Sequence, residues 1–134
     1  MGTWGHEIFQ DDTNCDLIAE IIDSENPLQT IADSFDKAID VVYFEHEECC
    51  GALVSAAIID AILNGTRYLE EMESFRVFVE ANRNLPVDTL KPNAVKALDR
   101  LLAEDSELNE LWNENEELYS KWKDVVVQLK ERLQ

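Results

Sequence analysis

The sequence predicts an all-α fold: a compact single-domain bundle of five to seven helices around one buried, alanine-rich helix. Three observations carry that prediction. Apolar residues recur at steps of three and four along nearly the whole chain, the spacing that lines one face of a helix. No stretch alternates apolar and polar residues for long enough to make a strand. One segment, Ala52 to Leu63, is apolar almost all round, as a helix surrounded by other helices must be. A length of 134 residues suits a single core, and no repeat or linker divides it.

The elements follow in order. Residues 1–10 form an N-terminal plug, in which Trp4, Ile8 and Phe9 close the end of the bundle and Gly2 and Gly5 let the chain bend. Asp11 or Asp12 caps a first helix that runs to about Asp23, with Leu17, Ile18, Ile21 and Ile22 on one face. Ser24-Glu25-Asn26 is a turn, and Pro27 takes the first position of a second helix. Its apolar stripe is Leu28, Ile31, Phe35, Ile39 and Val42. The third helix runs from about Glu47 to Leu63, and Asn64-Gly65 stops it. A fourth carries Met72, Phe75, Phe78 and Val79 and ends at Asn84-Leu85-Pro86.

Pro92 opens a fifth helix, with Val95, Leu98, Leu101 and Leu102 inward. Ser106 caps the last, whose seam is Leu108, Leu111, Asn115, Leu118, Trp122, Val125 and Leu129. That seam describes one helix of about 27 residues, roughly 40 Å long, or a pair broken by a kink near Ser120.

Charge narrows the function classes. The chain has 29 acidic and 11 basic residues, a net of −18. Residues 1–50 hold 13 Asp and Glu against Lys37 alone, a net of −12. Such a half repels nucleic acid and anionic membrane surfaces, and neither is an expected partner. It suits a basic protein partner, or a solvated surface that does nothing beyond keeping the chain soluble. Three cysteines, Cys15, Cys49 and Cys50, make no disulfide framework, so a reduced, cytoplasmic protein is expected. No secretory signal is visible, and the apolar run Leu53 to Leu63 is too short to span a bilayer. Met1-Gly2 could open an N-myristoylation signal, but that motif takes Ser or Thr where His6 stands.

The opening M-G-x-W-G-x-x-x-F-x-x-D, carried by Gly2, Trp4, Gly5, Phe9 and Asp12, resembles that of a bacterial family known only as a domain of unknown function. The stretch LDRLLAEDSELNELWNENEELYSKW is similar to the matching C-terminal part, and YFEHEE before an alanine-rich helix is similar in kind. The chain departs from the pattern at His6 and at Cys49-Cys50, where small residues are expected. The resemblance implies a small, helical, cytosolic bacterial domain and carries no activity.

Catalytic patterns are scarce. Walker loops, dinucleotide fingerprints and nucleophile elbows are absent. His46, Cys49 and Cys50 fall on one helical face and are zinc-ligand types, but a structural site takes four ligands in two separated pairs, and only His6 and Cys15 remain. A di-iron bundle needs two Glu-x-x-His motifs, and neither His6 nor His46 has one. No catalytic, cofactor or metal residue is assigned. Asp60, amid Ile58, Ile59, Ala61 and Ile62, either marks a polar stripe or is buried and paired, with Arg67 or Arg100 as partners. Asn115 in the seam either sets register with a partner helix or bonds to the N-terminal segment.

The expected function is therefore a non-enzymatic acidic binding protein, an immunity or inhibitor protein that masks a basic toxin such as a nuclease. The expected partner-binding residues are Asp33, Asp36, Asp40, Tyr43, Phe44, Glu45, Glu47 and Glu48, with Tyr43, Phe44 or Tyr68 as exposed aromatic anchors. The alternatives are a small metal-dependent enzyme or metal-binding protein using His6, His46 and carboxylates such as Glu7, Asp11 and Asp12, or a homodimer paired through the last helix. Monomer and homodimer stay open.

Overall fold

The computed structural model describes residues 5–134, so Met1, Gly2 and Trp4, and the parts of the plug and lipidation expectations resting on them, lie outside the described residues. Seven α-helices follow one another: α1 Asp12–Asp23, α2 Pro27–Asp40, α3 His46–Asn64, α4 Glu73–Ala81, α5 Lys91–Leu101, α6 Glu107–Asn113 and α7 Glu116–Leu133. Two short 3-10 turns, Ile8–Gln10 and Val87–Leu90, lead into α1 and α5. No strand occurs among the described residues, where a single parallel bridge joins Phe44 to Ser106. The all-α bundle is thus the predicted one.

The α3 helix is its axis. It touches each of the other six helices. Every residue from Ala52 to Ile62 is buried, which explains a sequence without a polar face. Its start is fastened by a capping box, in which the Glu48 carboxylate accepts the Glu45 N–H at 3.3 Å. Gly65 ends it at φ 69°, the left-handed conformation that glycine adopts without a Cβ penalty. Other caps form too, those of Asp11 and Ser106 as predicted and that of Asn26 in addition. Asp11 accepts from the Asn14 N–H, Asn26 from Gln29 with Pro27 behind it, and Ser106 from Asn109.

Ile8 and Phe9 fill the end of the bundle, each 2% exposed. The Phe9 ring meets Phe75 edge-on at 4.9 Å and Tyr68 at 6.0 Å.

Three boundaries differ from expectation. The α2 helix stops at Asp40, so its stripe ends at Phe35 and Ala38, while Ile39 is 37% and Val42 92% exposed. The α4 helix stops at Ala81, three residues early, where the Asn82 amide turns back to the Phe78 carbonyl at 2.8 Å. The last helix breaks at Asn115 rather than near Ser120. Asn115 caps α7 by accepting from the Leu118 N–H at 3.1 Å. Folding α6 back onto α7 stacks Trp112 on Trp122 at 5.9 Å and joins the Tyr119 hydroxyl to Asn109 at 2.8 Å, contacts a straight helix forgoes. Among the described residues no helix is long and apolar enough to cross a membrane.

Candidate functional site: an acidic groove and a clamped loop

The acidic N-terminal half folds so that α1, α2 and the first turn of α3 wall a groove of about 550 Å³. Glu20 comes from α1, Asp33 and Lys37 from α2, and Glu45, Glu47 and Glu48 from the capping turn of α3. Five carboxylates and one cation therefore line the same groove. Some have local work as well: Glu48 closes the capping box, and Asp33 accepts the Gln29 amide at 2.8 Å. The first-turn acids Glu47 and Glu48 also complement the positive end of the α3 dipole. Gly51 lies on the groove wall, where a Cβ would meet only Ser34 Oγ at 3.9 Å. Helix–helix approach does not require a glycine there.

Of the expected partner-binding residues, Asp33, Glu45, Glu47 and Glu48 line this groove. Asp36 and Asp40 are exposed on α2 but do not line it. Tyr43 is 41% exposed, and its hydroxyl donates to Glu110 at 2.9 Å. That hydrogen bond, with a little desolvation and the charges of Glu110 and Glu107, pushes the Tyr43 phenol up to about 12. Phe44 is a correction. It is fully buried, because the bridge to Ser106 turns its ring inward, with the Arg100 guanidinium 5.9 Å from the ring centre. Tyr68 is also no exposed anchor, since its hydroxyl donates to buried Asp60 at 2.6 Å.

The loop between α2 and α3 is held from both sides. Arg100 of α5 donates to the Ala38 carbonyl at 2.9 Å, to the Val42 carbonyl at 2.7 Å and to the Asp105 carboxylate at 2.9 Å. The Phe44 N–H donates to the Asp105 carbonyl and the Glu107 N–H to the Phe44 carbonyl, both at 2.9 Å. The His46 N–H completes the clamp on the Glu107 carboxylate at 2.7 Å. No sequence signal marked Arg100 for this role, because its targets are carbonyls about sixty positions upstream.

Asp60 is buried and paired, but with Arg132 rather than Arg67 or Arg100. The Arg132 Nε donates to it at 2.9 Å, Tyr68 at 2.6 Å and the Asn64 amide at 2.7 Å. Arg67 instead pairs with Glu71, and Arg100 with Asp105.

The residues of the alternative readings are spread over separate tasks. His46 Nε2 stands 3.9 Å from the Cys50 Sγ, and Cys49 bonds to the Phe44 carbonyl at 3.3 Å. Burial pushes both thiols up, the reverse of what a reactive or ligating thiolate needs. Among the described residues no group of three or more His, Cys, Asp or Glu is arranged to hold a metal ion. His6, Glu7 and Asp11 border a cavity of about 10 Å³, room for about one water. Asp11 spends an oxygen on the α1 cap, and Asp12 is exposed in the first turn of α1.

A family model described as Domain of unknown function (DUF4259) matches residues 2–125. No curated protein and no solved structure matches the chain.

Proposed function

Since the chain belongs to the family described as Domain of unknown function (DUF4259), a description that assigns no activity, we propose a function from geometry and charge. It is a non-enzymatic acidic binding protein that masks a basic protein, as an immunity protein masks a nuclease-type toxin. The observation that carries this reading is the groove, which Glu20, Asp33, Glu45, Glu47 and Glu48 line together with a single lysine, Lys37. Helices and the capping turn of α3 fix the backbone beneath these carboxylates, which leaves only side-chain ordering as the conformational cost of meeting a cationic surface. A field of this sign speeds encounter with a basic partner and weakens as salt rises. Laid over a nucleic-acid-binding surface, the acids replace phosphate, and inhibition is by occlusion. Three free thiols suit a reducing compartment such as the cytoplasm.

The test compares two immobilised chains, the natural one and a triple reversal of Asp33, Glu47 and Glu48 to Lys. Each is exposed to lysate of the source organism at low salt and eluted with rising salt. The expected result is one or a few basic proteins that the natural chain holds and the reversed chain loses. An identical set on both chains defeats the proposal.

A further inference from the structure

We infer that the clamped α2–α3 loop, with Val42 at its tip, is an apolar anchor that docks into a pocket rimmed by lysine or arginine on a basic protein partner. The inference rests on the basic-partner reading above and names where that partner gains its apolar contact.

Single exposed apolar side chains need no explanation, so their clustering is what counts. Seven large apolar side chains are exposed among the described residues. Four of them, Ile39, Val42, Tyr43 and Leu111, lie on this loop, at its entry or on the α6 helix it is bonded to. Val42 is the extreme case at 92% exposed.

The backbone beneath it is not loose. Arg100 holds the Val42 carbonyl at 2.7 Å, the Phe44–Ser106 bridge grips the next turn, and Tyr43 is tied to Glu110 at 2.9 Å. A preorganised loop pays little ordering entropy on binding, which is how a small apolar patch gains useful affinity.

The surroundings state the partner's chemistry. Asp40 at the end of α2, Glu45 of the loop, and Glu104 and Glu110 of the neighbouring 101–111 segment are exposed, and neither the loop nor that segment contains a lysine or arginine. The nearest guanidinium, that of Arg100, is taken up by its carbonyls and Asp105. An apolar centre with an acidic rim is complementary to an apolar pocket with a basic rim. Pairing of this loop with the same loop of a second copy is disfavoured, since like rims repel.

The test uses amide chemical shifts of the full chain, titrated with two short peptides of equal length and charge. One alternates arginine with leucine, the other arginine with serine. The expected result is about tenfold or more tighter binding of the leucine peptide, the effect of burying one aliphatic side chain. Its shifts should centre on residues 41–45 and 105–111. Val42→Asp should abolish the preference without unfolding the chain, whereas Leu69→Asp, at another exposed apolar position well away from the loop in sequence, should leave it intact. If both peptides bind equally and shift only the groove, the anchor is overturned and the basic-partner reading stands. Should the preference survive Val42→Asp, the anchor is likewise overturned. If neither peptide binds even at low salt, the basic-partner reading fails and takes the anchor with it.

Discussion

Asp60 shows what a single residue can cost and how the fold meets that cost. A carboxylate with no exposed surface is tolerated because Arg132, Tyr68 and Asn64 all donate to it. Arg132→Met removes the charge partner and should lower stability by about 2–3 kcal/mol, less than for a fully buried pair because the guanidinium keeps some water. Urea unfolding measures it, and adding Asp60→Asn in the same chain should recover part of the loss. Tyr43 gives a prediction in pH. Its pKa is raised, so the fold favours the neutral phenol. That contribution is whole below the ordinary tyrosine range and is lost as pH climbs towards about 12. Phenolate absorbance should show this late titration, and Glu110→Gln should return it towards the ordinary value. That Asp60 needed a partner was legible in its apolar neighbours. Which partner was not, since Arg132 lies 72 positions away.

Caps and stops are local, and the elements obeyed them. Asp11, Asn26, Ser106 and Gly65 act at the positions their residue types foretell. The break at Asn115 was half legible. The residue stood out as polar in an apolar seam, but the turn it caps also brings Trp112 onto Trp122, a contact that spacing does not state. Gly51 is the opposite case, a helical glycine with room for a methyl group. Gly51→Ala should stabilise the chain by about 0.5–1 kcal/mol, because glycine loses more freedom on entering a helix. Thermal unfolding checks the sign, and a lower midpoint would mean that the groove wall is closed to a Cβ.

Over the whole molecule, the net charge of −18 is a burden. Self-repulsion opposes compaction and is screened within about 10 Å at 0.1 M salt. Stability should therefore rise as simple salt is added to a dilute buffer, while the proposed capture of a basic partner should fall. Denaturation midpoints across a salt series test the first half. A fall instead would mean that ion pairs such as Arg132–Asp60 outweigh the repulsion.

The sequence by itself determined the helical class, the caps at Asp11, Ser106 and Gly65, the central place of α3 and the acidic character of one half. These depend on contacts three or four residues apart and on composition, which the order of residues states directly. Tertiary structure alone decided that Phe44 faces inward, that Arg100 clamps the loop, that Asp60 meets Arg132, and that five of the many carboxylates share one groove. Each of those joins segments far apart in the chain. Their meeting depends on how whole helices pack, a property of summed buried surface that no local spacing encodes.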